Sequence, residues 1–500
     1  MMETSMVNNQ SKRTAFIFVW DNPPLVDNCL QLGITLQDLS LEPVYISMEA
    51  DTGKLIKKRG CQHISLEKMM DKSFFAFQEW FYKNKDVSLT DRLFQGIHVL
   101  EETRYEQYCL MNDYWFPLQC PSMHDLVMKT VLCIHTFSQL IDQYQPVACF
   151  IWNGLVYPPK GLKTLCVRAG IPLFHLERGL LPNYMVIDPQ GINYGGSLGG
   201  DNWKSLQKID YQYDLRSVQL YIEKFRTEKV SIVNQDGLQS KDILSRLLSL
   251  KKTKKIILIP TQIDSDTNII YYSPLFRTNE DVIKAMLESM IKHDDAYIIV
   301  KTHPEDSTVD TGSLQKILGD RGTVMDNMHI HWLIEASHAV VVRNSTVGLE
   351  ALLFRKPVIC LGKSAYSEKG FTYDVNDRES LITTIDRVLS LPQSYAGNDD
   401  KFYYFLYYLL NHYHYSLSQE NKAYNKRFME MILSPDKKPS LKAVTTPQVL
   451  IKYNTNDMYM HNLEKTIVER DGLVHNIYRS RGWRLLKKYY WLRDNVFKRG

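Results

Sequence analysis

Residues 337–362 read SHAVVVRNSTVGLEALLFRKPVICLG. A β-branched apolar run gives way to a turn of small and hydroxyl residues, then a helical segment, then a second apolar run. We read 338–343 as a strand, 346–354 as a helix and 357–361 as a strand. Parallel strands need a crossover of this kind, so the stretch is one βαβ unit. Ser345 or Thr346 suits the helix cap. Free amides and the helix dipole at such a start attract anions. Asn344 stands just before the turn. A plain cap explains the hydroxyls but not Gly348, which costs helix stability in the first turn; close approach of a ligand to the backbone explains it. Glu350 is placed to accept ribose hydroxyls or to face water.

The same rhythm runs outward in both directions. Upstream are strand 255–260, helix 279–292, strand 296–301, helix 312–319, strand 322–325 and helix 330–336. The first half alternates too: strands 14–20, 43–48, 147–152 and 171–177, with helices 25–40, 124–144 and 159–169, and an aromatic-rich helical region up to about 115. Residues 213–230 read as helix, and the polar, lysine-rich 231–254 as a linker. After about 395 the chain is expected to be helical and aromatic, with no further strands. The fold class is therefore α/β: two doubly wound, Rossmann-like domains facing a cleft, with a helical C-terminal extension. The expected boundaries are 1–12 disordered, 13–230 the first domain, 231–254 the linker, 255–395 the second domain, 396–477 the extension packing back on the first domain, and 478–500 a basic tail.

Composition narrows the class. The 500 residues are 44% apolar and 23% charged, as in soluble globular proteins, and they suit two or three domains. The eight cysteines form no CxxC pair and no zinc-spaced cluster, so a reduced compartment and no metal are expected. The N-terminus lacks the apolar core of a secretory signal, and no stretch has the length of a membrane span. Residues 402–410, FYYFLYYLL, read as a buried or bridging helix. Net charge is +4, yet 471–500 alone carries +6. A near-neutral body argues against a nucleic-acid surface. The tail YRSRGWRLLKKYYWLRDNVFKRG (478–500) sets Leu485, Tyr489, Leu492 and Val496 on one stripe, with Arg484, Lys487 and Lys488 away from it. That pattern suits an anionic membrane surface, or a helix packed on the first domain with its basic face in water.

In open α/β sheets ligands sit beyond the carboxyl ends of the strands, so chemistry is expected in the loops after 152, 177, 260, 301, 343 and 361. After 301, Lys301, His303 and Pro304 present an imidazole from extended backbone, able to meet a phosphate or ribose oxygen or simply to face water. After 260, TQIDSDTN holds Asp264 and Asp266. Two residues apart in extended chain, they point the same way, toward a metal, a nucleophilic or basic role, or only solvent. After 177, Glu177 and Arg178 stand at the cleft mouth. Glu177 suits a general acid if burial raises its pKa, or an ion pair. Asp188-Pro-Gln-Gly191 reads as a turn. Trp152 and Asn153 contact an acceptor sugar, or Trp152 fills the core.

Taken together, QIDSDTNI (262–269), KTHPE (301–305), NSTVGLEALLFRKPVICLG (344–362), YSEKGFT (366–372) and ERGLLPNYMVIDPQGIN (177–193) resemble the bacterial capsule polysaccharide synthesis family, which includes β-Kdo glycosyltransferases. The resemblance covers roughly 150–375. It implies a GT-B glycosyltransferase using a CMP-activated sugar, most simply CMP-Kdo, as substrate, with no cofactor and no catalytic metal. His303, Ser345 and Thr346 would hold the CMP phosphate, within a donor site of Lys301, His303, Pro304, Asn344, Ser345, Thr346, Gly348 and Glu350. Asp266, or Asp264 as second choice, would attack the anomeric carbon in a retaining reaction, and Glu177 matches an acid/base position. Trp152, Asn153 and Arg178 are the acceptor candidates, the acceptor being a polysaccharide or glycolipid. The implied location is cytoplasmic, peripheral on the inner face of the membrane. Many members have Glu-Asp-Gly where this chain has Glu177-Arg178-Gly179, and often Thr at the place of Val347. Competing readings are a teichoic-acid-type CDP-glycerol glycerophosphotransferase and a non-catalytic polysaccharide assembly or binding protein.

Overall fold

The computed structural model describes residues 13–434, apart from 85, 88–90, 115, 117, 119, 207–213, 231–240, 327 and 393–398. The N-terminal 1–12, most of the expected extension beyond 434 and the tail 478–500 lie outside the described residues. In chain order the strands are β1 (Arg13–Phe18), β2 (Leu41–Ser47), β3 (Gln62–Ser65), β4 (Leu93–Phe94), β5 (Ile97–His98), β6 (Ala148–Trp152), β7 (Leu173–Arg178) and β8 (Tyr184–Asp188). There follow β9 (Lys255–Pro260), β10 (Ala296–Lys301), β11 (Gly322–Val324), β12 (Ala339–Val342), β13 (Val358–Cys360), β14 (Tyr373–Asp374) and β15 (His414–Ser416).

Two sheets dominate. The second has the order β11-β10-β9-β12-β13-β14 and is parallel throughout. Its strands are apolar on both faces, as a sheet covered on both sides must be. Alternate residues go to opposite faces. Ile257, Ile259, Ile298, Val300 and Val341 meet Val282, Ile283 and Met286 on one side. Leu258, Ile299, Val340 and Val342 join the cluster of Leu333, Ile334, Leu349, Phe225 and Phe405 on the other. Strand order reverses between β9 and β12, so the crevice of this doubly wound sheet opens at the loops 261–266 and 343–346.

The first sheet has the order β15-β8-β7-β6-β1-β2-β3. Its β7–β6–β1–β2–β3 part is parallel, whereas β8 and β15 are added antiparallel at one edge. Both domains of the expected fold class are thus present as α/β sheets. Six strands depart from the sequence reading: the short β3, β4 and β5 lie in the stretch expected to be helical up to about 115, β14 is not among the expected strands, and β8 and β15 extend the first sheet. β8 occupies a stretch expected to be loop. β15 pairs with β8, His414 opposite Val186, where no strand was expected after 395. A three-residue strand is too short to show a period of two, and its pairing is decided by tertiary context. The lysine-rich stretch read as a linker contains a helix, Lys241–Thr253, with Leu247 buried in the second sheet's core.

Phe402, Phe405, Leu406 and Leu409 are buried, and Trp203 meets Phe405 edge to face at 5.2 Å. The helix Asp399–Tyr408 is therefore a core helix, as its apolar run suggests. It continues as a π-helical turn over Leu409–Tyr413. By its contacts the chain divides into two compact units: 1–73 with 133–449 carries both sheets, and the described part of the other is 74–132. There β4 and β5 form a hairpin, and Arg92 lies 4.8 Å over the Phe81 ring.

Candidate functional site

The crevice of the second sheet is framed by one polar network. Arg343, buried at the end of β12, donates to the carbonyls of Arg277 and Gln262 at 2.7 and 3.0 Å and to Asn279 Oδ1 at 2.8 Å. Its guanidinium also pairs with Asp264 at 2.8 Å. Gln262 and Asn344 bond twice, side chain to side chain at 3.0 Å and Asn344 amide to Gln262 Oε1 at 3.2 Å. Asn344 Nδ2 donates to the Asn268 carbonyl at 2.8 Å. This network locks the loops after β9 and β12 together. Asp264 and Asn344 are parts of the frame. Burial pushes the Asp264 carboxyl up, against the pull of Arg343.

Asp266 differs from its neighbour. It caps the short helix Thr267–Tyr272 by accepting from the Asn268 amide at 2.7 Å. It is solvent-accessible, yet enough protein surrounds it that burial raises its pKa, against the Asn268 amide and the positive charges of His303, Arg343 and Arg178. Glu177, near the end of β7, accepts from the Arg178 amide at 2.9 Å. Burial is the main cause that pushes Glu177 up to about 7, and the Asp266 charge adds to the rise. Glu177, from the first sheet, thus feels the charge of Asp266, which follows β9 of the second. Arg178 turns away to pair with Glu305 at 3.8 Å.

His303 is anchored through its amide to Thr261 Oγ1 at 2.9 Å, and its Nδ1 accepts from the Glu305 amide at 3.2 Å. That bond assigns the proton of the neutral ring to Nε2, which leaves a donor. Burial lowers its pKa, while Glu305, Asp266 and Asp306 oppose the fall. Lys301 is buried and donates to the Thr302 carbonyl at 3.2 Å; it braces the strand end rather than facing the crevice. Pro304 is exposed beside it. At the turn, Ser345 Oγ accepts from the Val347 amide at 3.2 Å, and Thr346 stands at the cap with no side-chain cap bond.

Three expectations are corrected. Packing alone accounts for Gly348: a Cβ there would collide with the Tyr366 hydroxyl, which donates to the Ser345 carbonyl. Glu350 neither meets ribose nor faces water, because its carboxylate is buried and bonded to His331 Nε2 at 2.5 Å. Trp152 is 4% exposed and fills the first sheet's core. Asn153 adopts a left-handed conformation, φ 70°, and accepts from the Leu155 amide at 2.8 Å, making it chiefly a turn residue.

Sequence reasoning passed over other residues. Arg343 was signalled only by a charge closing a buried apolar run. Asp188, read as a turn residue, is fully buried and accepts from the Gln190 and Ser197 amides at 2.7 Å, from Ser197 Oγ at 2.9 Å and from the Tyr413 hydroxyl at 2.9 Å. Its last donor comes from the π-helical turn, 225 residues away. Among the described residues no cluster of His, Cys, Asp and Glu could hold a metal ion. No described helix is long and apolar enough to cross a membrane.

Sheet order and switch-point loops define the class: an α/β protein built on two Rossmann-like sheets. The comparisons narrow it. The family described as "Capsule polysaccharide biosynthesis protein" matches residues 208–387, and bears out the resemblance there. That stretch takes in Asp264, Asp266, His303, Ser345 and Thr346 and does not reach Glu177. Protein FixF of Sinorhizobium fredii is 22% identical over 291 residues, 57% of this chain and 65% of FixF. Capsule polysaccharide modification protein LipA of Neisseria meningitidis serogroup A is 25% identical over 221 residues, 41% of this chain and 30% of LipA. The chain thus spans less than two thirds of either relative. Among solved structures, a KpsC β-Kdo 2,7 transferase from Thermosulfurimonas dismutans has 25% identity, covers 49% of this chain and 74% of its own, and has a TM-score of 0.35.

Proposed function

We propose that the protein is a glycosyltransferase of surface or capsular polysaccharide or lipopolysaccharide synthesis. It transfers a sugar, Kdo in the simplest reading, from a CMP-activated donor with retention of configuration. The observation that carries this reading is the pair Glu177 and Asp266: two carboxylates with raised pKa, from the carboxyl ends of two sheets, Glu177 feeling the charge of Asp266. Asp266 is the nucleophile because Asp264 is committed to Arg343. In the first step a carboxylate oxygen of Asp266 bonds to the anomeric carbon and CMP departs with the bonding pair. In the second, an acceptor hydroxyl attacks that carbon, its proton passes to ionised Glu177, and Asp266 leaves as carboxylate. Nε2–H of His303 and the hydroxyls of Ser345 and Thr346 meet the CMP phosphate, with Pro304 shaping the loop. Arg178 and Asn153 lie on the acceptor side. The family match over the donor half supports the same reading.

The test is a panel of CMP-, CDP- and UDP-activated donors, with CDP-glycerol included, scored by nucleotide release. Release of CMP from CMP-Kdo is expected. CDP-glycerol turnover would make the protein a glycerophosphotransferase, and binding without turnover would make it an assembly protein. We place the enzyme on the cytoplasmic face of the membrane, held by the basic stripe of 478–500. Deleting those residues should release it from anionic vesicles while CMP binding persists; unchanged vesicle binding would overturn that placement.

A further inference from the structure

The six-residue helix capped by Asp266 rests on loops of the first sheet. Leu155, Ile192 and Tyr272 form a small buried cluster, with Tyr194 and Tyr271 packed against it. Tyr271 Oη donates to the Leu155 carbonyl at 3.4 Å, and Asn153 Nδ2 reaches Thr267 Oγ1 at 3.5 Å. Gly195 lies against the Tyr272 hydroxyl. The Gly195 amide is directed at the Tyr272 hydroxyl. A Cβ on Gly195 would strike that hydroxyl but would stand 3.4 Å from Cζ, an ordinary contact. Gly195 is not among the residues with positive φ, so only space forbids a side chain there.

The loop that carries Gly195 is held at both ends. Asp188 gathers five donors at its root. At its tip the Tyr194 hydroxyl donates to Glu368 at 2.6 Å, and Lys369 Nζ donates to the Leu198 carbonyl at 2.6 Å. A rigid loop bearing on a short helix fixes where that helix begins, and so where Asp266 stands.

We propose that Gly195 and Tyr272 are positioning residues: their contact seats the helix that presents Asp266 to Glu177. The role given to Asp266 is that of the proposed reaction; the seating itself is independent of it. The test is a double-mutant cycle of Gly195→Ala, Tyr272→Phe and the pair. Its first readout is the titration of the Glu177 carboxyl, followed by carbon NMR of glutamate-labelled protein and assigned with Glu177→Gln. The added methyl pushes the helix off its seat, which draws the Asp266 charge away and opens Glu177 to water. Both changes lower the Glu177 pKa, by about half a unit. Tyr272→Phe alone keeps the ring packed on Leu155 and Ile192 and leaves the pKa nearly unchanged, and the double variant restores it because the clashing oxygen is gone. The second readout is transfer: kcat falls about tenfold in Gly195→Ala, with donor KM nearly unchanged, and recovers in the pair.

An unmoved Glu177 titration in folded Gly195→Ala, or no recovery in the double variant, overturns the proposal. Should Gly195→Ala fail to fold, Ile192→Ala thins the same contact without a clash and is expected to lower the same pKa; an unchanged value would again overturn it. Absence of transfer from every donor would refute the glycosyltransferase reading alone, since the titration still reports the seating.

Discussion

The two aspartates of the Asp264–Ser265–Asp266 turn have opposite duties. Asp264 balances a buried guanidinium at 2.8 Å. Removing one partner of such a pair leaves an uncompensated charge, so Asp264→Asn is expected to lose about 3 kcal/mol of stability, read as a drop in Tm. Asp266→Asn keeps a cap and should unfold near the parent temperature, with transfer abolished. An equal loss of stability in the two variants would contradict the division. If Glu177 is the base of the proposed mechanism, the transfer rate should rise with pH through about 7, and Glu177→Gln should flatten that limb and slow transfer about 10²- to 10³-fold. The same group has a signed effect on stability. Its folded pKa lies above its ordinary 4.5, so the folded state binds the proton more tightly, and stability falls as pH rises from about 4.5 to about 7. Glu177→Gln should match the parent near pH 4 and exceed it at pH 8 by on the order of 2 kcal/mol; a less stable variant at pH 8 would refute the assignment.

Among the elements, the helix Val347–Leu353 shows what a sequence conveys and what it withholds. Its limits, and those of β9 and β10, follow from apolar runs, caps and the crossover rule, all of them local. The purpose of Gly348 and Glu350 is not local. It depends on Tyr366 and His331, brought in by other segments, and a turn rich in small residues reads the same whether a ring or a ligand fills the space. Trp152 was ambiguous for a similar reason, since an aromatic at a strand end serves core or site equally. Asp188 hid its role behind a proline, because its donors include Tyr413 on the π-helical turn. Glu350→Ala should therefore cost about 3–5 kcal/mol by stranding His331, while CMP affinity of the folded fraction stays near the parent's. A selective loss of CMP affinity without loss of stability would return Glu350 to the donor site.

At the scale of the whole molecule, the proposed reaction draws on the carboxyl ends of two differently paired sheets. The second is wholly parallel and brings His303, Ser345, Thr346 and Asp266 around its point of strand reversal. The first contributes Glu177 from β7, and its edge is closed by β15 from far along the chain. A donor half and an acceptor half arranged in this way can run a double displacement without a metal, provided that Asp266 forms a covalent link to the sugar. Glu177→Gln should slow the second step and let that species accumulate. The decisive measurement is the intact mass and peptide map of Glu177→Gln protein quenched in acid after incubation with CMP-Kdo. The account predicts a Kdo adduct on the peptide bearing Asp266, located to that side chain and absent from the Asp266→Asn double variant. CMP release with an inverted product and no adduct, or an adduct carried by Asp264, would contradict it.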